Sequence, residues 1–142
     1  MNMLTGYYAR LGQGDKAALI IEDIFRRLVK PNMTSVMSDE TSMWCGTWEL
    51  DGNTGLTDAI AEMLLQSCPG EVTVLPALPD TWADGEPSGV TIVGGHKIDI
   101  IWRDKKLKNI ILYPVVKEQI KIYYGSEHTV ILLLPGKALK LG

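Results

Sequence analysis

The sequence has no apolar run approaching the roughly 18–20 residues that a membrane-crossing helix needs. Its longest strongly apolar stretch, Val130 to Leu134, is the size of a strand. A basic excess is missing too: 14 Lys and Arg stand against 17 Asp and Glu, for a formal charge of −3. Dedicated nucleic-acid binders normally show a basic surplus or stripe, so neither nucleic acid nor a membrane is an expected partner. The opening Met1-Asn2-Met3-Leu4-Thr5-Gly6 shows no basic region followed by an apolar core, so no export signal is read there. Two cysteines, Cys45 and Cys68, are too few for a disulfide framework. Reduced thiols are expected, with one bridge between them as the alternative. Two histidines and two cysteines, far apart and without close ligand pairs, point away from a zinc site, and no metal or cofactor is expected. Internal repeats and low-complexity tracts are absent as well.

What is present fits an ordinary globular chain. Of 142 residues, 46% are apolar and 22% charged, enough for one domain or two very small ones. The pattern changes near Pro69: the apolar period is helical before it and alternates like strands after it. Asp15 to Lys30 reads as a helix. Asp15 is its expected cap, Ala17, Ile21, Ile24 and Leu28 form its apolar face, and Pro31 stops it. Tyr7 to Leu11 reads as the tail of an earlier helix ended by Gly12, which suggests the continuation of a larger helical array. Residues 31–53 are expected to be irregular, and a helix follows from about Gly55 to Ser67, capped by Asn53 or Thr54. Strands are expected at Val72–Val74, Val90–Val93, Lys97–Trp102, Leu107–Tyr113, Gln119–Tyr124, Thr129–Leu134 and Ala138–Leu141. Short turn signals at Gly94-Gly95, Asp104-Lys105, Gly125-Ser126 and Pro135-Gly136 separate the later ones, as in an antiparallel sandwich. Trp82 and Trp102 are read as core of the β half, and His96 and His128 as surface or hairpin residues.

Four stretches, in order, resemble glycoside hydrolase family 95, which includes α-1,2-L-fucosidases and α-L-galactosidases. They are Arg10-Leu11-Gly12-Gln13-Gly14-Asp15-Lys16-Ala17 and Leu50-Asp51-Gly52-Asn53-Thr54-Gly55 with the helix after it. Leu75-Pro76-Ala77-Leu78-Pro79 with Trp82, and Gly94-Gly95 through Ile98-Asp99-Ile100-Ile101-Trp102, complete the series. The resemblance spans about residues 4–141. It implies an α+β chain in which N-terminal helices, the remnant of an (α/α) toroid, are followed by an antiparallel β-sandwich. Residues 1–69 would be the end of the six-hairpin barrel and 70–142 the C-terminal sandwich. Relatives are often exported, but this chain fixes no compartment.

The resemblance also implies a chemistry. Family members hydrolyse with inversion: an acid protonates the leaving oxygen while a base across the sugar activates water, the carboxyls about 6.5–9.5 Å apart. The aspartate of the family's base arrangement falls on Asp51. Helix capping by Asp51 or Asn53 is the bland alternative. Trp48, Glu49 and Asn53 are the candidate substrate contacts around Asp51, with Trp44 and Trp48 able to stack on a sugar or simply to pack the loop. Glu49 stands where the family has an amide and Thr54 where it has an aromatic residue, which puts sugar identity in doubt. No stretch here matches the family's acid, a glutamate from an earlier barrel helix, and the assisting asparagines are missing too. The expected substrate is an oligosaccharide, and the expected protein partners are an upstream barrel or a second copy meeting exposed helix faces. A stand-alone carbohydrate-binding or structural module is the alternative.

Overall fold

A computed structural model describes residues 2–38 and 46–142. Trp44 and Cys45 lie outside the described residues. Three helices come first: α1 (Asn2–Arg10), α2 (Gly14–Arg27) and α3 (Leu50–Leu64). Eight strands follow: β1 (Leu65–Cys68), β2 (Glu71–Val74), β3 (Val90–Thr91), β4 (Lys97–Arg103), β5 (Lys106–Tyr113), β6 (Glu118–Tyr124), β7 (Glu127–Leu133) and β8 (Leu139–Leu141). The α+β class is as expected.

The helix ends differ from the sequence reading. The first turn of α2 begins at Gly14, and Asp15 does not cap it. The Asp15 carboxylate instead accepts the Asp80 backbone N–H at 2.7 Å, joining the helix junction to the chain entering the β half. Helix α2 stops at Arg27, three residues before the expected end, because the chain turns to form a bridge between Val29 and Ser35. Helix α3 starts at Leu50, so Asp51 and Asn53 lie inside it and neither caps it. It yields at Leu65 to β1, which had read as the helix's last turn.

The α1–α2 turn has the hydrogen bonding of a helix C-cap: Gln13 N–H donates to the Tyr8 carbonyl at 2.9 Å while Gly12 takes φ +68°. Only glycine adopts that conformation at no steric cost. Gly14 sits against the Ala77 backbone, where an added Cβ would lie 2.7 Å from the carbonyl carbon. Two motifs read far apart in the sequence, Arg10–Ala17 and Leu75–Pro79, are thus in contact. Ala9, Ala17, Ile21, Ile24, Leu56 and Met63 form the helical core, joined by Ala77, with Trp82 packed on its edge. Trp82 therefore belongs to the helical core rather than to the β half.

The strands form two four-stranded sheets, in the orders β1-β2-β6-β7 and β3-β4-β5-β8. All pairings are antiparallel except β2 with β6, where Glu71, Val72 and Thr73 run parallel to Lys121, Ile122 and Tyr123. The sandwich is thus mixed: the chain leaves the sheet after β2, builds most of the second sheet, and returns alongside. Ile98, Ile100 and Trp102 face one way from β4, as alternation predicts, and meet Val72, Val74, Ile120, Ile122 and Leu133 in one core. Trp102 also donates its indole N–H to the Trp82 carbonyl at 2.9 Å.

His96 overturns its expected surface placement, being fully buried. Its Nδ1 accepts the Val115 N–H at 3.1 Å, which leaves the proton on Nε2 to be donated to Glu118 at 2.9 Å. Both partners lie about twenty residues downstream, out of reach of local pattern reading. His128 is exposed, as expected, with its ring 5.6 Å from that of Tyr123. Cys68 is an exposed free thiol.

Candidate functional site

Helices α1 and α3 lie side by side with their C-terminal ends together. Arg10 donates to Glu62 at 2.7 Å, and the Gln66 amide donates to the Ala9 carbonyl at 3.2 Å. Their outer faces bound a groove of about 660 Å³. Tyr7 and Arg10 line it from α1, and Asp51, Asp58 and Glu62 from α3. Helical spacing explains the second set, since positions 51, 58 and 62 return to one face every three or four residues.

Asp51 sits in the first turn of α3, exposed on the groove wall. Among the described residues its carboxylate has no hydrogen-bond or ion-pair partner. A carboxylate on a concave wall, without a partner among the described residues, can accept a proton from water or bind a hydroxyl.

Glu49 lines the same groove just before the helix, in extended backbone, while Asp51 is helical. The two backbones thus differ in conformation, yet the groove collects both side chains. Gly52, next to Asp51, is tightly placed. An added Cβ would lie 2.8 Å from Glu49 Oε2 and closer still to Ser35 Oγ.

Asn53 and Trp48 lie off the groove. The Asn53 Oδ1 accepts the Ser35 N–H at 2.8 Å and the Ser35 hydroxyl at 2.9 Å, while its Nδ2 donates to the Met33 carbonyl at 2.7 Å. This amide ties residues 33–35 to the start of α3 and so fixes the backbone that carries Asp51. Trp48 pairs in an isolated bridge with Val36, and its side chain is 56% exposed.

Sequence reading missed Arg10, Asp58 and Glu62 as groove residues. Arg10 was visible only as part of a family motif, whereas the i, i+7, i+11 acidic spacing on α3 was a usable signal. Along the helix, Asp51 and Glu62 are separated by about 16 Å and Asp51 and Asp58 by about 10 Å.

Comparison with known proteins bears on the other half of the chain as well. Residues 66–135 match the model of the glycoside hydrolase family 95 C-terminal domain. The β half is therefore similar to a family 95 C-terminal domain. An Arabidopsis thaliana protein named Alpha-L-fucosidase 2 is 36% identical over 94 residues. That match covers 63% of this chain and 11% of the relative. The chain thus spans a small fraction of the relative's length, and the residues matched by the family model lie in the sandwich. The resemblance read from the four motifs is shown by these matches.

Proposed function

We propose that this chain is the C-terminal portion of an α-L-fucosidase-like inverting glycoside hydrolase, acting on a fucosylated or related oligosaccharide. Asp51 would belong to the catalytic base. The observation that carries this reading is the Asp51 carboxylate on the wall of the α1–α3 groove, without a partner among the described residues, in a chain whose residues 66–135 match a family 95 domain. Glu49 would meet the substrate beside it. Asn53 would act through the backbone it holds, and Trp48 from outside the groove.

The general acid would come from elements outside these 142 residues. A single positioned acid or base contributes about 10²–10⁴-fold, and no stretch of this sequence resembles the family's acid-bearing helix. The chain alone is therefore expected to be inactive. Exposed apolar residues on α1 (Met3, Leu4 and Tyr7) and Leu11 just after it support a neighbouring helical array, which would bury them. Self-association through the same face is the competing use.

The test is release of fucose from an α-1,2-fucosylated oligosaccharide. The isolated chain is expected to release none. A chimera of the Arabidopsis relative, with this chain in place of its own corresponding part, is expected to release it. Turnover by the isolated chain would overturn the proposal.

A further inference from the structure

A second cleft lies at the far end of the sandwich, where the apolar core runs out while the two sheets remain apart. Its volume is about 550 Å³, within the roughly 300–1,000 Å³ of ligand sites. Side-chain alternation places polar residues there at positions that should be core. On β6, Ile120 and Ile122 are buried, and Tyr124 continues their face. On β7, Thr129 pairs with Ile122 and Glu127 with Tyr124, so both continue the inner face of that sheet. Lys108 reaches the cleft by a different device. The register between β4 and β5 passes from Ile101↔Asn109 to Trp102↔Leu107, leaving Lys108 as the extra residue of a β-bulge. Bulges re-aim a side chain, and they recur beside functional sites.

We propose that this cleft binds one or two units of a neutral saccharide, as a subsite separate from the Asp51 groove. Ile110, Ile122 and the Tyr124 ring give an apolar wall suited to the C–H face of a pyranose. The Tyr124 hydroxyl accepts the Leu107 N–H at 3.1 Å, which holds the ring in place from sheet to sheet. Lys108, Glu127 and Thr129 have no side-chain partner among the described residues. Together with Lys140, which also lines the cleft, they offer donors and acceptors to sugar hydroxyls, and cations and a carboxylate both face the space rather than charges of one sign. The choice of a sugar rests on the glycan reading above, whereas the location rests on the cleft alone.

The experiment is an amide NMR titration of the full chain with L-fucose, D-galactose and an α-1,2-fucosylated oligosaccharide. Saturating shifts are expected at residues 108, 124, 127 and 129. Thr129→Val and Lys108→Met alter exposed positions, so the remaining spectrum should persist while affinity falls about five-fold for each lost hydrogen bond. Shifts confined to the Asp51 groove would overturn the cleft and leave the hydrolase reading standing. An absence of cleft shifts at the highest sugar concentration, or unchanged affinity in both variants, would overturn it as well. Fucose release by the chimera tests the hydrolase reading separately.

Discussion

Replacing Asn53 with alanine tests whether that amide, rather than a cap, sets the start of α3. The substitution removes three hydrogen bonds. The Ser35 hydroxyl keeps a second acceptor, the Glu49 carbonyl at 2.8 Å. Met33 is exposed, and its carbonyl can turn to water. The Ser35 N–H has no such recourse, because Ser35 is buried. A buried donor left without an acceptor costs about 1–3 kcal/mol, and a lost hydrogen bond about 1 kcal/mol net. Asn53→Ala should therefore cost about 2–3 kcal/mol, or several degrees in Tm for a chain of this size. Urea unfolding followed by tryptophan fluorescence measures it as a lower midpoint at unchanged slope. Asn53→Asp keeps the acceptor for Ser35 and should cost less, because only the exposed Met33 carbonyl loses its donor. A loss below about 0.5 kcal/mol for Asn53→Ala, typical of a surface change, would refute this reasoning, as would Asp costing more than Ala.

Three further outcomes follow from other parts of the molecule. Gly85→Ala should destabilise by about 1–3 kcal/mol or more, read by thermal unfolding, because the new Cβ would sit 2.7 Å from Trp102 Cε2 and nearer to the ring's outer carbons. Tyr113 donates to Asp99 at 2.8 Å, and that hydrogen bond, followed by burial and the Asp99 charge, raises its pKa above the usual 10.0. The protonated phenol is the favoured form, so its contribution is present below pH of about 10 and is lost as pH rises through the higher folded value. Tyrosinate absorbance should show one late-ionising phenol, shifted downward in Asp99→Asn. Asp51→Asn in the isolated chain should change stability by less than about 1 kcal/mol, since the carboxylate is exposed and only its interaction with the helix terminus is lost. A larger loss in a urea titration would mean that Asp51 is structural.

Where local physics dominates, structure was legible in the sequence. The strands from Lys97 onward are flanked by turn residues and alternate cleanly, and their observed bounds differ from the expected ones by at most two residues. The Ile98, Ile100 and Trp102 face was equally plain. Long-range partners decide the remainder. Leu65 to Cys68 prolong the apolar pattern of α3, yet they form β1 because β2 folds back on them. The parallel return of β6 beside β2 depends on where the whole chain goes, which no window of residues reports. Asp15 looked like a cap and serves as an acceptor for Asp80, 65 residues away. At the candidate site, Asp51 and Glu49 were legible through the family motif, and the structure brings both to one groove. Asn53 carried the same motif signal, but its amide is used by Ser35 and Met33, an arrangement that depends on the chain doubling back after α2.

The most direct measurement is kcat of the Arabidopsis chimera carrying this chain, with and without Asp51→Asn. The expected result is a fall of at least about 100-fold with the fold intact. An Asp51→Asn chimera that keeps the parent's kcat would contradict the assignment of Asp51 to the reaction centre.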